Sequence, residues 1–199
     1  MDRYRDYVEL SAHEREGSDY RIVAEARNSP VVVLAPHGGS IEPTTSAIAA
    51  AIAGHDHSLY CFEGLSAQRP HSDLHITSEL FDEPRARTMV ANALFAVHGR
   101  RNRGERDTTW LGGLDRGLIG FAAAELSSAG FKCLADGPEL SGKAPANICN
   151  ATQSGRGLQL ELPRDLRDRL RGDTAILQGF AAAIRAAIAS RLPHGSAPR

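Results

Sequence analysis

The stretch Val31-Val32-Val33-Leu34-Ala35-Pro36-His37-Gly38-Gly39-Ser40-Ile41-Glu42-Pro43 decides how the rest of the chain is read. Its apolar run, short and closed by turn residues, has the length and β-branched content of a strand buried on both faces. Pro43 and the run Thr44-Thr-Ser-Ala-Ile-Ala-Ala-Ala-Ile-Ala53 carry the pattern of a helix start, with Ile48 and Ile52 four apart and Gly54 as the stop. Strand, turn and helix in that order place His37 and Glu42 outside the carboxyl end of a strand, where open α/β sheets receive ligands. Gly38-Gly39 lets the backbone come close to whatever sits there. An imidazole and a carboxylate converging on such a turn have the donor chemistry of a divalent-metal site.

Upstream, residues 3 to 16 set Tyr4, Tyr7, Val8 and Leu10 among charges, as a short amphipathic helix does. Residues 19 to 26 alternate with Tyr20, Ile22 and Ala24 on one side, which predicts a half-buried edge strand. Downstream, short strands are expected at 58 to 62 and 74 to 78, a helix at 82 to 92, and a second buried strand at 93 to 97 that ends on His98-Gly99. Residues 100 to 113 read as an arginine- and glycine-rich loop, 114 to 129 as a helix, 131 to 134 as a strand, and 135 to 156 as a long loop. In Gly157-Leu-Gln-Leu-Glu161-Leu-Pro163 three leucines face one way, Gln159 and Glu161 the other, and the proline ends the strand. A helix over 173 to 189 carries Ile176, Phe180, Ile184 and Ile188 on one stripe, and residues 193 to 199 read as a flexible tail. Helices alternating with short apolar strands predict an α/β protein: a single domain over 1 to 192, with a mixed, mostly parallel central sheet and helices on both faces.

The 199 residues suffice for one sizeable core. With 23 basic and 24 acidic side chains the net charge is -1, so no global field draws the chain to nucleic acid or an anionic membrane. No apolar stretch reaches the length of a membrane span, and the amino terminus lacks the apolar core of a signal peptide. The expectation is a protein that is cytoplasmic as synthesised, without membrane or nucleic-acid partners. Cys61, Cys133 and Cys149 form an odd set without CxxC spacing and read as buried free thiols.

A catalytic zinc site takes three protein ligands and leaves one position for water. His37, Glu42 and His98 supply that set, because His37 and His98 each end a strand and strand ends of one sheet share an edge. His75 competes for the third place; His98 is preferred because it ends the more apolar strand and precedes a glycine. Glu161 is a carboxylate inside an apolar strand end, which suits a general base, although a strand-edge glutamate facing solvent fits the same pattern. Arg100, Arg101, Arg103 and Arg106 follow His98 and Arg156 precedes the Glu161 strand, so planar guanidinium groups are available for an acidic substrate.

Taken together, His37-Gly-Gly-Ser-Ile-Glu42-Pro-Thr-Thr-Ser, Leu74-His-Ile-Thr-Ser with Phe81-Asp-Glu-Pro84, Val97-His98-Gly99, Asn147-Ile-Cys-Asn150 and Gly157-Leu-Gln-Leu-Glu161-Leu-Pro163 resemble the phage-type poly-γ-glutamate hydrolase family. The resemblance runs in order from about Asp19 to about Arg191. It implies a compact relative of the zinc carboxypeptidase fold and an amide hydrolase with one Zn²⁺ on His37, Glu42 and His98. It further implies Glu161 as the catalytic glutamate and an anionic γ-glutamyl peptide or polymer as substrate, reaching the protein after lysis if the chain is phage-derived. Arg156, Arg100, His75 and Asn147 are the residues expected to meet that substrate. A zinc amidase acting on cell-wall peptides would use a similar ligand set, whereas a metal-containing binding protein without turnover would close the site with His75 as a fourth ligand.

Overall fold

The structure, a computed structural model, describes residues 2–93, 95–102, 107–135 and 142–192, with the backbone alone for 95–102. Seven strands of the described residues make one mixed sheet in the order β1-β3-β2-β4-β7-β5-β6. They are β1 (Tyr20–Glu25), β2 (Val31–Gly39), β3 (Ser58–Gly64), β4 (Phe95–Asn102), β5 (Thr108–Gly113), β6 (Lys132–Ala135) and β7 (Leu158–Pro163). The run β3-β2-β4-β7 is parallel, β1 adds antiparallel at one edge, and β5 pairs antiparallel with β7 while β6 closes the other edge parallel to β5. The carboxyl ends of β2, β3, β4 and β7 therefore share one edge of the sheet, and His37 and Glu161 both lie toward it.

Among the described residues six helices cover the two faces: α1 (Tyr7–His13), α2 (Thr45–Ala53), α3 (Pro84–Ala91), α4 (Arg116–Ser128), α5 (Arg164–Gly172) and α6 (Thr174–Arg191). One face buries Val31, Val33 and Ala35 of β2 and Leu158, Leu160 and Leu162 of β7 under α2, α4, α5 and α6. The opposite face buries Val32, Leu34, Tyr60 and Phe62 with Leu10 of α1, Ala86 and Val90 of α3, and Ile148 and Cys149. The period of two in β2 and β7 divides these sets, which is the sheet covered on both sides that the sequence predicts. No helix of the described residues is long and apolar enough to cross a membrane.

Several elements differ from the sequence expectation for local reasons. Strand β2 does not stop at Pro36 but continues through His37 to Gly39, because the ladder to β3 slips between Ala35 and Gly38 and resumes at Gly38–Glu63. A bulge there tolerates a proline, which has no amide hydrogen to place in the ladder. Residues 74 to 78 form no strand: Leu74, His75 and Ile76 are all buried in succession, and they anchor a loop after a 3-10 turn at His71–Asp73. The expected loop over 100 to 113 is divided between the end of β4 and β5, whose Thr-Thr-Trp-Leu is masked by the flanking arginines and glycines. Helix α5 is a further difference. Its Leu166 and Leu170, four apart, are fully buried among arginines and aspartates that hide the pattern. The tail at 193 to 199 lies outside the described residues. Of the cysteines, Cys61 and Cys149 are buried and free and Cys133 is half-buried and free. Burial pushes both buried thiols up to about 12, so they stay neutral.

Candidate metal centre

The turn that follows the end of β2 brings Glu42 back beside His37. The Glu42 amide donates to the His37 carbonyl at 3.0 Å, and Thr45 Oγ1 donates to the same carbonyl at 3.1 Å and to that of Glu42 at 2.8 Å. Gly38 and Gly39 are required for this path. A Cβ on Gly38 would sit 2.2 Å from Ser46 Oγ, and Gly39, at φ +60°, would bring one to 2.4 Å from the Gly64 carbonyl. Thr44, which caps α2, is held at φ 83°, a costly conformation for a β-branched residue. Arg167 of α5 is buried and ties the turn to β7, its guanidinium donating to the carbonyls of Pro43 and Leu162.

The loop after the 3-10 turn supplies the third group. His37, Glu42 and His75 are all buried, and one ligand atom from each lies within 4.8 Å of the others. His37 Nδ1 is 3.9 Å from Glu42 Oε2, and His75 Nε2 is 3.9 Å from Glu42 Oε1. Zinc bonds of 2.0–2.2 Å place tetrahedral donors about 3.4 Å apart, so these groups, up to 4.8 Å from one another, would draw closer together around an ion. The far nitrogens support the fit: His37 Nε2 donates to the Ile76 carbonyl at 2.7 Å and His75 Nδ1 to Asp2 Oδ1 at 2.8 Å. Each bond fixes the tautomer that presents a lone pair toward Glu42, the usual support around a metal-binding histidine. The donor set thus suits a divalent transition metal.

A third imidazole extends the cluster toward solvent. The ring of His71 stacks on that of His75 with centroids 4.6 Å apart, His75 stacks on His37 at 4.1 Å, and His71 Nε2 is 3.9 Å from Glu42 Oε1. His71 is 32% exposed and His37 fully buried, so the stack leads from the surface inward. Sequence reading gives His71 no role; its one signal is the spacing of four to His75.

Glu161 is buried at 1% exposure in β7, between β4 and β5, and not on a solvent-facing edge. Gln159, two residues earlier and on the same face, donates from Nε2 to Glu161 Oε1 at 2.6 Å. Asn147 Nδ2 donates to Gln159 Oε1 at 2.9 Å, and Asn147 Oδ1 accepts from the Cys149 amide at 3.1 Å. Both ends of the Asn147 amide are thereby engaged, and the chain of amides sets the orientation of the carboxylate. The backbone of β4 places His98 level with Leu34 and Gln159, and Arg100 level with Glu161. The side chains of His98, Arg100 and Arg101, and all of Arg103 and Arg106, lie outside the described residues. Arg156 is exposed in the turn that enters the amino-terminal end of β7, the end remote from His37–Gly39. The structure thus joins His37, Glu42 and His75 in one cluster and Asn147, Gln159 and Glu161 in another, and it leaves Arg156 apart from both.

A mixed sheet with a buried two-histidine, one-carboxylate cluster at its strand ends defines an α/β protein with a candidate transition-metal centre. Residues 4–179 match the family described as poly-gamma-glutamate hydrolase, and the chain belongs to that family. It is 37% identical over 174 residues to the UPF0714 protein YndL of Bacillus subtilis (strain 168), covering 86% of this chain and 68% of that protein. The chain spans about two thirds of the length of the curated relatives it matches. Among solved structures, the bacteriophage poly-gamma-glutamate hydrolase superposes with a TM-score of 0.89 at 30% identity, over 96% of this chain and 98% of that one. A zinc-free form of YndL superposes at 0.88 and 32% identity, over 96% of this chain and all of the other.

Proposed function

We propose that the chain is a zinc-dependent hydrolase that cleaves amide bonds in poly-γ-glutamate or a related acidic γ-glutamyl peptide. The observation that carries this reading is the His37, Glu42 and His75 cluster in a chain of this family. The phage relative is a poly-gamma-glutamate hydrolase and the YndL structure is described by its lack of zinc, which supports both the substrate class and the ion. Bound there, the ion supplies Lewis acidity toward a scissile carbonyl and a water. His37 Nδ1 and Glu42 are two of its ligands. His75 Nε2 is the third among the described residues, and His98 is the third that the family resemblance implies. Glu161 takes the proton from the water and returns it to the leaving amine, with Gln159 holding one of its oxygens so that it enters in a single orientation. Arg100, whose backbone is level with Glu161 on the neighbouring strand, is the residue expected to meet a substrate carboxylate.

Metal analysis and a two-substrate assay test the reading. About one equivalent of zinc per chain is expected, with release of short products from poly-γ-glutamate and none from peptidoglycan. His37→Ala should abolish metal retention, and comparing His75→Ala with His98→Ala identifies the third ligand. Protein that binds no transition metal and gains no activity on its addition would sink the zinc reading; cleavage of peptidoglycan alone would move the substrate to cell-wall peptides.

A further inference from the structure

Asp2 lies outside the residues that match the family, yet its carboxylate has one of the most connected positions around the cluster. It accepts from His75 Nδ1 at 2.8 Å, from the Thr77 amide at 3.1 Å and from Thr77 Oγ1 at 3.0 Å. The residue between those two is Ile76, whose carbonyl accepts from His37 Nε2 at 2.7 Å. One carboxylate therefore grips the loop on both sides of the group that orients His37. We propose that Asp2 is a positioning residue of the metal centre, aiming His75 Nε2 directly and His37 Nδ1 through the Ile76 carbonyl. This rests on the zinc reading above. A carboxylate on the far nitrogen holds the ring in its ligating tautomer and makes it a better donor, and loss of such a partner weakens metal binding about 10- to 100-fold. The segment has anchors besides Asp2: the Arg3 amide donates to the Ser72 carbonyl at 3.0 Å and the Arg3 guanidinium pairs with Asp73 at 3.5 Å. Changing Asp2 therefore removes the carboxylate without releasing the strap that carries it.

Zinc affinity measured by competition with a chromophoric chelator, with cobalt(II) absorption as a report on geometry, tests this without reference to activity. Asp2→Asn and Asp2→Ala should weaken zinc binding about 10- to 100-fold and alter the cobalt spectrum, and Asp2→Glu should recover part of the loss. Arg3→Ala, which loosens the same segment at an exposed ion pair, should change affinity by less than about 3-fold. The metal-free proteins should melt alike. Wild-type affinity in Asp2→Asn, in a protein whose His75→Ala variant loses the ion, overturns the role of Asp2 alone. Wild-type affinity in His75→Ala overturns His75 as a ligand and the role of Asp2 with it.

Discussion

The two faces of the sheet are made of different material. Under α2, α4, α5 and α6 the filling is nearly all aliphatic, with Val31, Val33, Leu158, Leu160 and Leu162 interlocking with Ile48, Ile52, Leu118, Ile184 and Ile188. On the opposite face aromatic rings take over, and buried polar groups stand among them: His37, His75, Asn147, Gln159 and Glu161. A buried polar group costs free energy unless it is partnered, so the second face is held by directed bonds where the first is held by packing. The same strands serve both, since adjacent residues of β7 point to opposite sides. Apolar packing and directed polar bonding are thus separated by a single residue step along one strand.

That separation can be broken by exchanging the effects. Leu160→Ala opens a cavity on the aliphatic face and should cost about 2–5 kcal/mol of stability, read from chemical denaturation, while the folded fraction keeps its turnover number. Its neighbour Glu161→Gln should do the reverse, lowering kcat at least about 100-fold with metal content retained and little change in melting temperature. A large loss of kcat in the first variant or near wild-type turnover in the second would dissolve the distinction.

Legibility followed the same division. The aliphatic face was readable because period-two and period-four patterns record burial directly, and β2, α2, α4, β7 and α6 fall close to where those patterns put them. The polar face is legible only where local punctuation helps: the glycines and proline around His37 and Glu42 mark those two as candidates. His75 stayed a competitor, because the pairing that brings it to Glu42 joins residues more than thirty positions apart and leaves no period in the chain. Asp2, His71 and Arg167 act through contacts of similar or greater sequence separation, and Gln159 was noticed only as the polar side of a strand. Helix α5 was missed for a different reason: its charge outweighs the two leucines that hold it.

A smaller effect sharpens the contrast at the rim of the polar face. Glu14 accepts a charge-assisted pair from Arg69, at 2.7 and 2.8 Å, and the Tyr4 hydroxyl at 2.7 Å, and these donors hold its carboxyl below the usual value of 4.5. The folded form binds the proton less tightly than the unfolded chain, so this contribution is complete above about pH 4.5 and is lost as pH falls through the lower folded value. Stability measured from pH 6 down to about pH 3 should decline more steeply in the wild type than in Glu14→Gln, with the aliphatic face contributing no such slope. Equal slopes would remove Glu14 from the acid response.

The place of β7 in the sheet has a consequence for how the chain is assembled. Among the described residues it is the last strand in sequence, yet it lies between β4 and β5, pairing parallel with one and antiparallel with the other. Until residues 158–163 have emerged from the ribosome, β1-β3-β2-β4 and β5-β6 are two part-sheets with no ladder between them. Each keeps an open edge during that interval, the kind of edge that recruits the wrong strand. Joining them requires pairings across more than fifty residues, between β4 and β7, the kind of non-local closure that slows folding in general. The strand that carries Glu161 is thus also the one whose arrival turns two fragments into one protein.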